Sequence, residues 1–281
     1  MRYETSDEYD GLLRAMQDTI EKPFRENVPA GEPIVQLAEP FDGVDHSYLI
    51  TPLLADYIQS LGYRVVCLVG RNSGPKFGNN LLDLAKTLNA TFAMGNKNFG
   101  EPKPPFGWYV NQQDLSHAVD RWVEIRRQTI KRPFLSTLER FLNPAKAQIC
   151  IASAFHPPYT EKMITICERA GFAGGVIVRN GLEGTLAGYL NRPLKMMCSL
   201  RSCVDEYTRK EFEVDPKEIL GCEIKIDEQI RQPSLEENAR LICTYKEKGG
   251  SGKEQFDFRV KVCCHAVKQV LDWLKISIVN E

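Results

Sequence analysis

From Ile34 onward the chain alternates short, unbroken apolar runs with segments whose apolar residues recur at helical spacing. The runs predict strands at 34–38, 64–69, 91–94, 148–154, 175–178 and 194–200. Helices are predicted near 52–61, 81–88, 114–128, 135–141 and 159–170, with two more at 235–248 and 256–276. Strands covered on both faces read as continuous apolar runs, and strand–helix alternation favours a parallel sheet. The expected fold class is therefore α/β, a largely parallel central sheet with helices on both faces. Ahead of it, Ser6 is placed to cap a helix whose apolar face carries Leu12, Leu13, Met16 and Ile20, before Lys22-Pro23 ends it. The stretch 25–32, with Pro29, Gly31 and Pro33 close together, reads as a linker, and 96–107 as an irregular loop.

Composition narrows the function classes. At 281 residues the chain is long enough for roughly two domains. Lys plus Arg is 36 and Asp plus Glu 37, a net charge of -1, which excludes a globally basic nucleic-acid binder. The nine cysteines are odd in number and contain no Cys-x-x-Cys pair, which speaks against a disulfide framework or a zinc ribbon. A reducing, intracellular compartment is expected, cytoplasm or plastid. No apolar run approaches the roughly 20 residues that span a bilayer, so no membrane partner is expected. The acidic first ten residues show no secretory or transit signal.

The balanced total hides one asymmetry. Between 121 and 146 lie Arg121, Arg126, Arg127, Lys131, Arg132, Arg140 and Lys146 against only Glu124 and Glu139. Such a stretch suits an anionic substrate or a nucleic-acid backbone, and equally a solvated helix face. His46, His117, His156 and His265 are far apart, and no Ser or Cys lies in a nucleophile elbow, so metal-cluster and hydrolase chemistry have little support.

Three strand-to-helix loops carry candidate chemistry. The first is Glu39-Pro-Phe-Asp-Gly-Val-Asp-His-Ser-Tyr-Leu-Ile-Thr51-Pro52, where Thr51 suits an N-cap and Pro52 the first helical position. Free N–H groups and a helix dipole there would suit a phosphate, although an ordinary capped turn uses the same residues. The second is Gly70-Arg71-Asn72-Ser73-Gly-Pro-Lys76-Phe-Gly78-Asn, which combines three glycines, two cations and neutral donors. Pyrophosphate wants that mixture, though the spacing matches neither a Walker loop nor Gly-x-Gly-x-x-Gly. The third is Val-Arg179-Asn180-Gly-Leu-Glu183-Gly, whose Glu183 could hold a hydrated Mg²⁺.

The order of these motifs resembles the anthranilate phosphoribosyltransferase family, in a divergent branch that includes DNA-binding relatives. The best stretch is Ile125-Arg-Arg-Gln-Thr-Ile-Lys-Arg-Pro-Phe-Leu-Ser-Thr-Leu-Glu-Arg-Phe-Leu-Asn143-Pro, which follows the family's V-R-R-E-L-G-x-R-T-x-F-N-L-L-G-P-L-x-N-P without a gap. Glu236-Glu-Asn238-Ala and the 252–265 region are similar to the family's later motifs. The resemblance implies transfer of 5-phosphoribose from phosphoribosyl pyrophosphate to anthranilate or a related aromatic acceptor, with Mg²⁺, in tryptophan biosynthesis. It implies Asp42, Gly43 and Thr51 in the pyrophosphate loop, and Lys76 and Gly78 in a second phosphate loop that also offers Gly70, Arg71, Asn72 and Ser73. Arg126, Arg127 and Arg132 would meet the acceptor, and Glu183 the metal. It further implies a partial helical subdomain, 1–30 and 113–143, beside an α/β domain of 31–112 and 144–281. In the family the helical subdomain forms a homodimer interface.

The chain departs from that pattern. The family's Gly-Thr-Gly-Gly-Asp is here Glu39-Pro-Phe-Asp-Gly, its Lys-His-Gly-Asn-Arg is Leu68-Val-Gly-Arg-Asn, and its Asp-Gly-Leu-Asp-Glu is Asn180-Gly-Leu-Glu-Gly. The alternative is a non-catalytic protein of the same fold that binds nucleic acid or a phosphorylated metabolite, with the stretch 121–146 as its contact.

Overall fold

The computed structural model describes residues 5–72, 76–129, 134–203, 206–226, 230 and 233–278. Helix α1 (Ser6–Gln17) is capped by Thr5 rather than Ser6. The Thr5 hydroxyl accepts from the Glu8 N–H while the Glu8 carboxylate accepts from the Thr5 N–H, a reciprocal capping box. After it come β1 (Ile34–Ala38), α2 (Thr51–Ser60), β2 (Arg64–Val69), α3 (Leu81–Thr87), β3 (Thr91–Phe92) and β4 (Trp108–Asn111). Short helices follow: α4 (Gln112–Leu115), α5 (His117–Asp120), α6 (Trp122–Thr129) and α7 (Leu135–Leu138). The remainder is β5 (Ile149–Ala154), α8 (Tyr159–Arg169), β6 (Gly174–Arg179), the hairpin β7 (Leu194–Cys203) and β8 (Glu206–Val214), and helices α9 (Pro216–Leu220), α10 (Leu235–Lys248) and α11 (Glu254–Ile278).

The sheet order is β3-β4-β2-β1-β5-β6-β7-β8. Strands β3 to β6 pair in parallel, and the β7–β8 hairpin adds antiparallel to β6. This is the expected α/β class. Period-two alternation sends Val35, Leu37, Val65 and Cys67 to one face, where they pack with Leu54, Ile58, Ile242 and Leu271 of α2, α10 and α11. Ile34, Ala38, Val66 and Leu68 point the other way, onto Leu13, Met16, Leu138 and Ile164 of α1, α7 and α8. All nine cysteines are free thiols, so no disulfide framework holds the fold. Among the described residues no helix is long and apolar enough to cross a membrane.

Three local expectations are corrected. Strand β4 was hidden because its four residues follow a Pro- and Gly-rich stretch, and it pairs between β3 and β2. Strand β8 was hidden because it is an edge strand whose exposed positions carry charge (Glu206, Arg209, Lys210, Glu211 and Glu213), leaving no apolar run to read. The single helix expected at 114–128 is three pieces. Ser116 takes an extended backbone, φ -157° and ψ 104°, and its hydroxyl caps α5 by accepting from the Val119 N–H.

Candidate functional site

In an open sheet, ligands gather at the carboxyl ends of strands where the winding reverses. Strand β1 sits at that reversal, with β2 on one side and β5 on the other. The loops leaving β1 and β2 are zipped together there. Val44 and Asn79 exchange two backbone hydrogen bonds of 2.9 Å, and the Gly78 N–H donates to the Asp42 carbonyl at 3.1 Å. Asn72 adds its amide to the Gly78 carbonyl at 2.7 Å. Buried Asn80 caps α3 through Oδ1 and donates from Nδ2 to the carbonyls of Phe41 and Gly70. From the far side, buried Asn238 clamps the Leu49 backbone, accepting from its N–H at 2.9 Å and donating to its carbonyl at 3.0 Å. That contact gives the Glu-Asn-Ala segment a structural task.

These ties fix a set of oxyanion donors. The Asp45 N–H, His46 N–H, Ser47 Oγ and Lys76 Nζ converge on one carboxylate, that of Glu183. The distances are 2.8, 2.8, 2.7 and 2.8 Å respectively. Burial pushes the Glu183 carboxyl up, but the bonds from Asp45, Lys76, Ser47 and His46 outweigh it and hold the group below the ordinary carboxylate value. Because its value is depressed in the folded protein, Glu183 contributes stability above the unfolded carboxylate value of about 4.3, and loses it as pH falls through the folded value. The stability gap between wild type and Glu183→Gln, measured by urea unfolding, is expected to close on acidification from about pH 7 to about pH 3. A gap independent of pH would show that the charge of Glu183 does nothing.

The sequence candidates distribute unevenly. Asp42, Gly43, Asn72, Lys76, Gly78 and Glu183 meet at this junction, while Ser73 and Arg132 lie outside the described residues. Thr51 does not cap α2. Ile50 takes the N-cap position in helical backbone, and the Thr51 hydroxyl donates instead to the buried carboxylate of Glu39. Glu39 also accepts from the Leu186 N–H at 3.2 Å, and burial pushes its carboxyl up against the pull of Thr51, Leu186 and Arg140. The Glu39 carboxylate is thus tied inside the protein, not presented to a ligand.

Gly70 packs against the ring of Phe41, where an added Cβ would come within 2.5 Å. Arg71 is turned away, paired with Asp120 at 2.7 Å and Glu124 at 2.9 Å. Arg127 pairs with Glu124 at 3.5 Å and donates to the Asn72 carbonyl. Arg126 is buried in a 3.1 Å ion pair with Glu139, so it does not face an acceptor alone. Among the described residues, the cations of the basic stretch therefore do not all share one face. Arg126 and Arg140 are buried, Arg71 and Arg127 share Glu124, and Lys146 lies before β5, at the opposite end of the sheet.

The Glu183 carboxylate, the metal candidate of the sequence, is held here by protein donors. A carboxylate offers about four lone-pair positions, and the four donors above take them. Among the described residues no group of three or more His, Cys, Asp or Glu side chains could hold a metal ion.

Beside the donor set opens a cleft of about 380 Å³. Its walls include Tyr9, Phe41, Phe134, Phe155, His156 and Tyr159, with Arg126, Glu139 and Arg140 deeper in and Asp42, Glu183 and Gly184 at the end next to the zipped loops. Sequence reasoning missed Phe155, His156 and Tyr159, since an aromatic cluster after a strand carries no spacing signal.

No protein-family model matches the chain. An uncharacterized protein of Aquifex aeolicus (strain VF5) is 24% identical over 242 residues, which is 85% of this chain and 69% of that protein. Solved structures are more informative. Anthranilate phosphoribosyltransferase from Thermus thermophilus superposes with a TM-score of 0.70 at 21% identity, covering 99% of this chain and 79% of the other. The Saccharomyces cerevisiae enzyme in complex with phosphoribosyl pyrophosphate and Mg superposes at 0.61 and 12% identity, over 98% of this chain and 80% of that one. The same enzyme in complex with 4-fluoroanthranilate gives 0.59 at 12% identity, over 99% and 81%. Across nearly its whole length, this chain has the fold of the anthranilate phosphoribosyltransferases.

Proposed function

We propose that the protein is a phosphoribosyltransferase-like enzyme. It takes phosphoribosyl pyrophosphate at the zipped 39–52 and 70–79 loops, and anthranilate or a related aromatic amine in the adjoining cleft. One observation carries this reading: a set of oxyanion donors, engaged by Glu183, adjoins through that residue an aromatic-walled cleft at the carboxyl edge of the sheet. Neighbours of the same fold are known with the phosphoribosyl donor and with an anthranilate analogue. In this reading segments 1–30 and 113–143 form the helical part and 31–112 with 144–281 the α/β part, the cleft lying between them.

In the transfer, the ribose C1–O bond to diphosphate breaks and its electron pair leaves with the diphosphate. The acceptor nitrogen forms the new C1–N bond and gives its proton to solvent. The Asp45 and His46 N–H groups, Ser47 and Lys76 would meet the charge that grows on the leaving oxygens, where fixed donors help most. The rings of Phe41, Phe155 and Tyr159 would hold the acceptor by edge and face contacts. The Mg²⁺ held by a neighbour of the same fold is included in the assay without a residue of this chain assigned to it.

Calorimetry on the full chain with phosphoribosyl pyrophosphate, with and without Mg²⁺, tests the reading. Lys76→Ala is expected to weaken binding at least about tenfold, the scale of one lost charge-assisted hydrogen bond. Unchanged affinity would refute the role of Lys76. No binding by the folded wild type at millimolar ligand would overturn the enzyme reading itself. Transfer is followed by loss of anthranilate fluorescence in the same mixture.

A further inference from the structure

Glu183 stands in an unusual backbone. Its φ is +52°, between Asn180 at +49° and Gly184 at +86°. A non-glycine residue pays for left-handed backbone and persists there only when its surroundings hold it. What holds it is the side chain, docked by four donors. Two consecutive backbone N–H groups, a hydroxyl and an ammonium form the concave, electropositive arrangement that binds phosphate oxygens. Here a carboxylate of the chain itself supplies the anion. The carboxylate arrives on a loop whose far side is anchored separately, by Gly184 O accepting from Ser153 Oγ and by the Leu186 N–H donating to Glu39. The tip can therefore leave while the base of the loop stays.

We propose that Glu183 is an internal occupant of the diphosphate site, a latch that a diphosphate group must displace in order to bind. This rests on the reading that these donors face a diphosphate. An intramolecular competitor acts at an effective concentration of order millimolar or above. A monocarboxylate, which brings no more charge than Glu183, cannot displace it efficiently. A diphosphate brings several negative charges and more acceptor oxygens to the same four donors, and it keeps Lys76 neutralised. Release of the latch moves the Glu183 side chain, which lines the cleft, so donor binding would reshape the acceptor pocket.

The test uses the full chain and inorganic pyrophosphate, with acetate as the control anion. Binding to wild type, Glu183→Gln and Glu183→Ala is measured by calorimetry, and hydrogen exchange of the 180–187 segment is followed in the wild type. Gln places an amide donor against N–H donors and unseats the latch without removing bulk, so it serves if the Ala variant does not fold. The expected result is at least about tenfold tighter pyrophosphate binding by both variants. Faster exchange at 180–187 when pyrophosphate is added to the wild type, and none with acetate, completes it. Equal binding by wild type and variants with unchanged exchange overturns the latch and leaves the diphosphate reading standing. Weaker binding by the variants also overturns it, since Glu183 would then help hold the ligand. No binding by any of the three removes the diphosphate site, and the latch with it.

Discussion

Arg126→Met is expected to lower the stability of the folded chain by about 3–5 kcal/mol, the usual consequence of removing one partner of a buried ion pair. Arg126 and Glu139 are both 4% exposed and meet at 3.1 Å. Burial pushes the Glu139 carboxyl up, and Arg126 is the largest influence pulling it back, ahead of Arg140. Without Arg126 the carboxyl rises further. A carboxyl whose folded value lies above its unfolded value is stabilising at low pH, and that contribution is lost as pH rises through the folded value. The variant should therefore be penalised more at about pH 8 than at about pH 5. The double variant Arg126→Met with Glu139→Leu removes both charges and should recover most of the loss, because two desolvated ions are replaced by apolar volume. Urea unfolding at the two pH values measures all of this. A single-variant loss below about 1 kcal/mol would mean that the pair is solvated, against its burial.

The same pair shows where sequence reasoning stops. Strands β1, β2, β5 and β6 were legible because both faces of each are covered, which leaves only Gln36, Arg64, Ser153 and Arg179 as polar interruptions of their apolar runs. Likewise, the loops after β1, β2 and β6, which the structure brings together, were marked in the sequence by strand ends and glycines. The choice of partner was not legible. Lys76 is captured by Glu183, 107 positions away, Arg71 by Asp120, 49 away, and Arg126 by Glu139 on a neighbouring helix. Charge identity is local in sequence, but neutralisation is decided by topology. A stretch with seven cations could be counted from the sequence, whereas the burial of Arg126 and Arg140 followed only from the packing of α6 and α7 against the sheet.

Gly43 separates the two roles a loop glycine can have. It lies at φ +71°, and an added Cβ would fall 2.4 Å from the Asn79 carbonyl oxygen, 2.5 Å from its carbon and 2.7 Å from the Gly78 oxygen. Those are backbone atoms of the second loop and cannot rotate aside. Gly43→Ala therefore adds left-handed strain of about 1 kcal/mol to the cost of parting the loops. Parting them endangers the two Val44–Asn79 bonds and the Gly78-to-Asp42 bond, each worth about 1 kcal/mol net. A total near 4 kcal/mol is expected. Lys76 stands two residues before Gly78, so it should lose its place opposite Asp45 and Ser47, and pyrophosphate binding should fall with stability. Gly62→Ala is the control, because Gly62 is also left-handed, at φ +92°, but an added Cβ there meets nothing within 4 Å. It should cost only the strain, about 1 kcal/mol, and leave pyrophosphate affinity unchanged. If the two variants behave alike in urea and in calorimetry, then strain alone explains Gly43, and the zipped loops are not what holds Lys76 against the anion site.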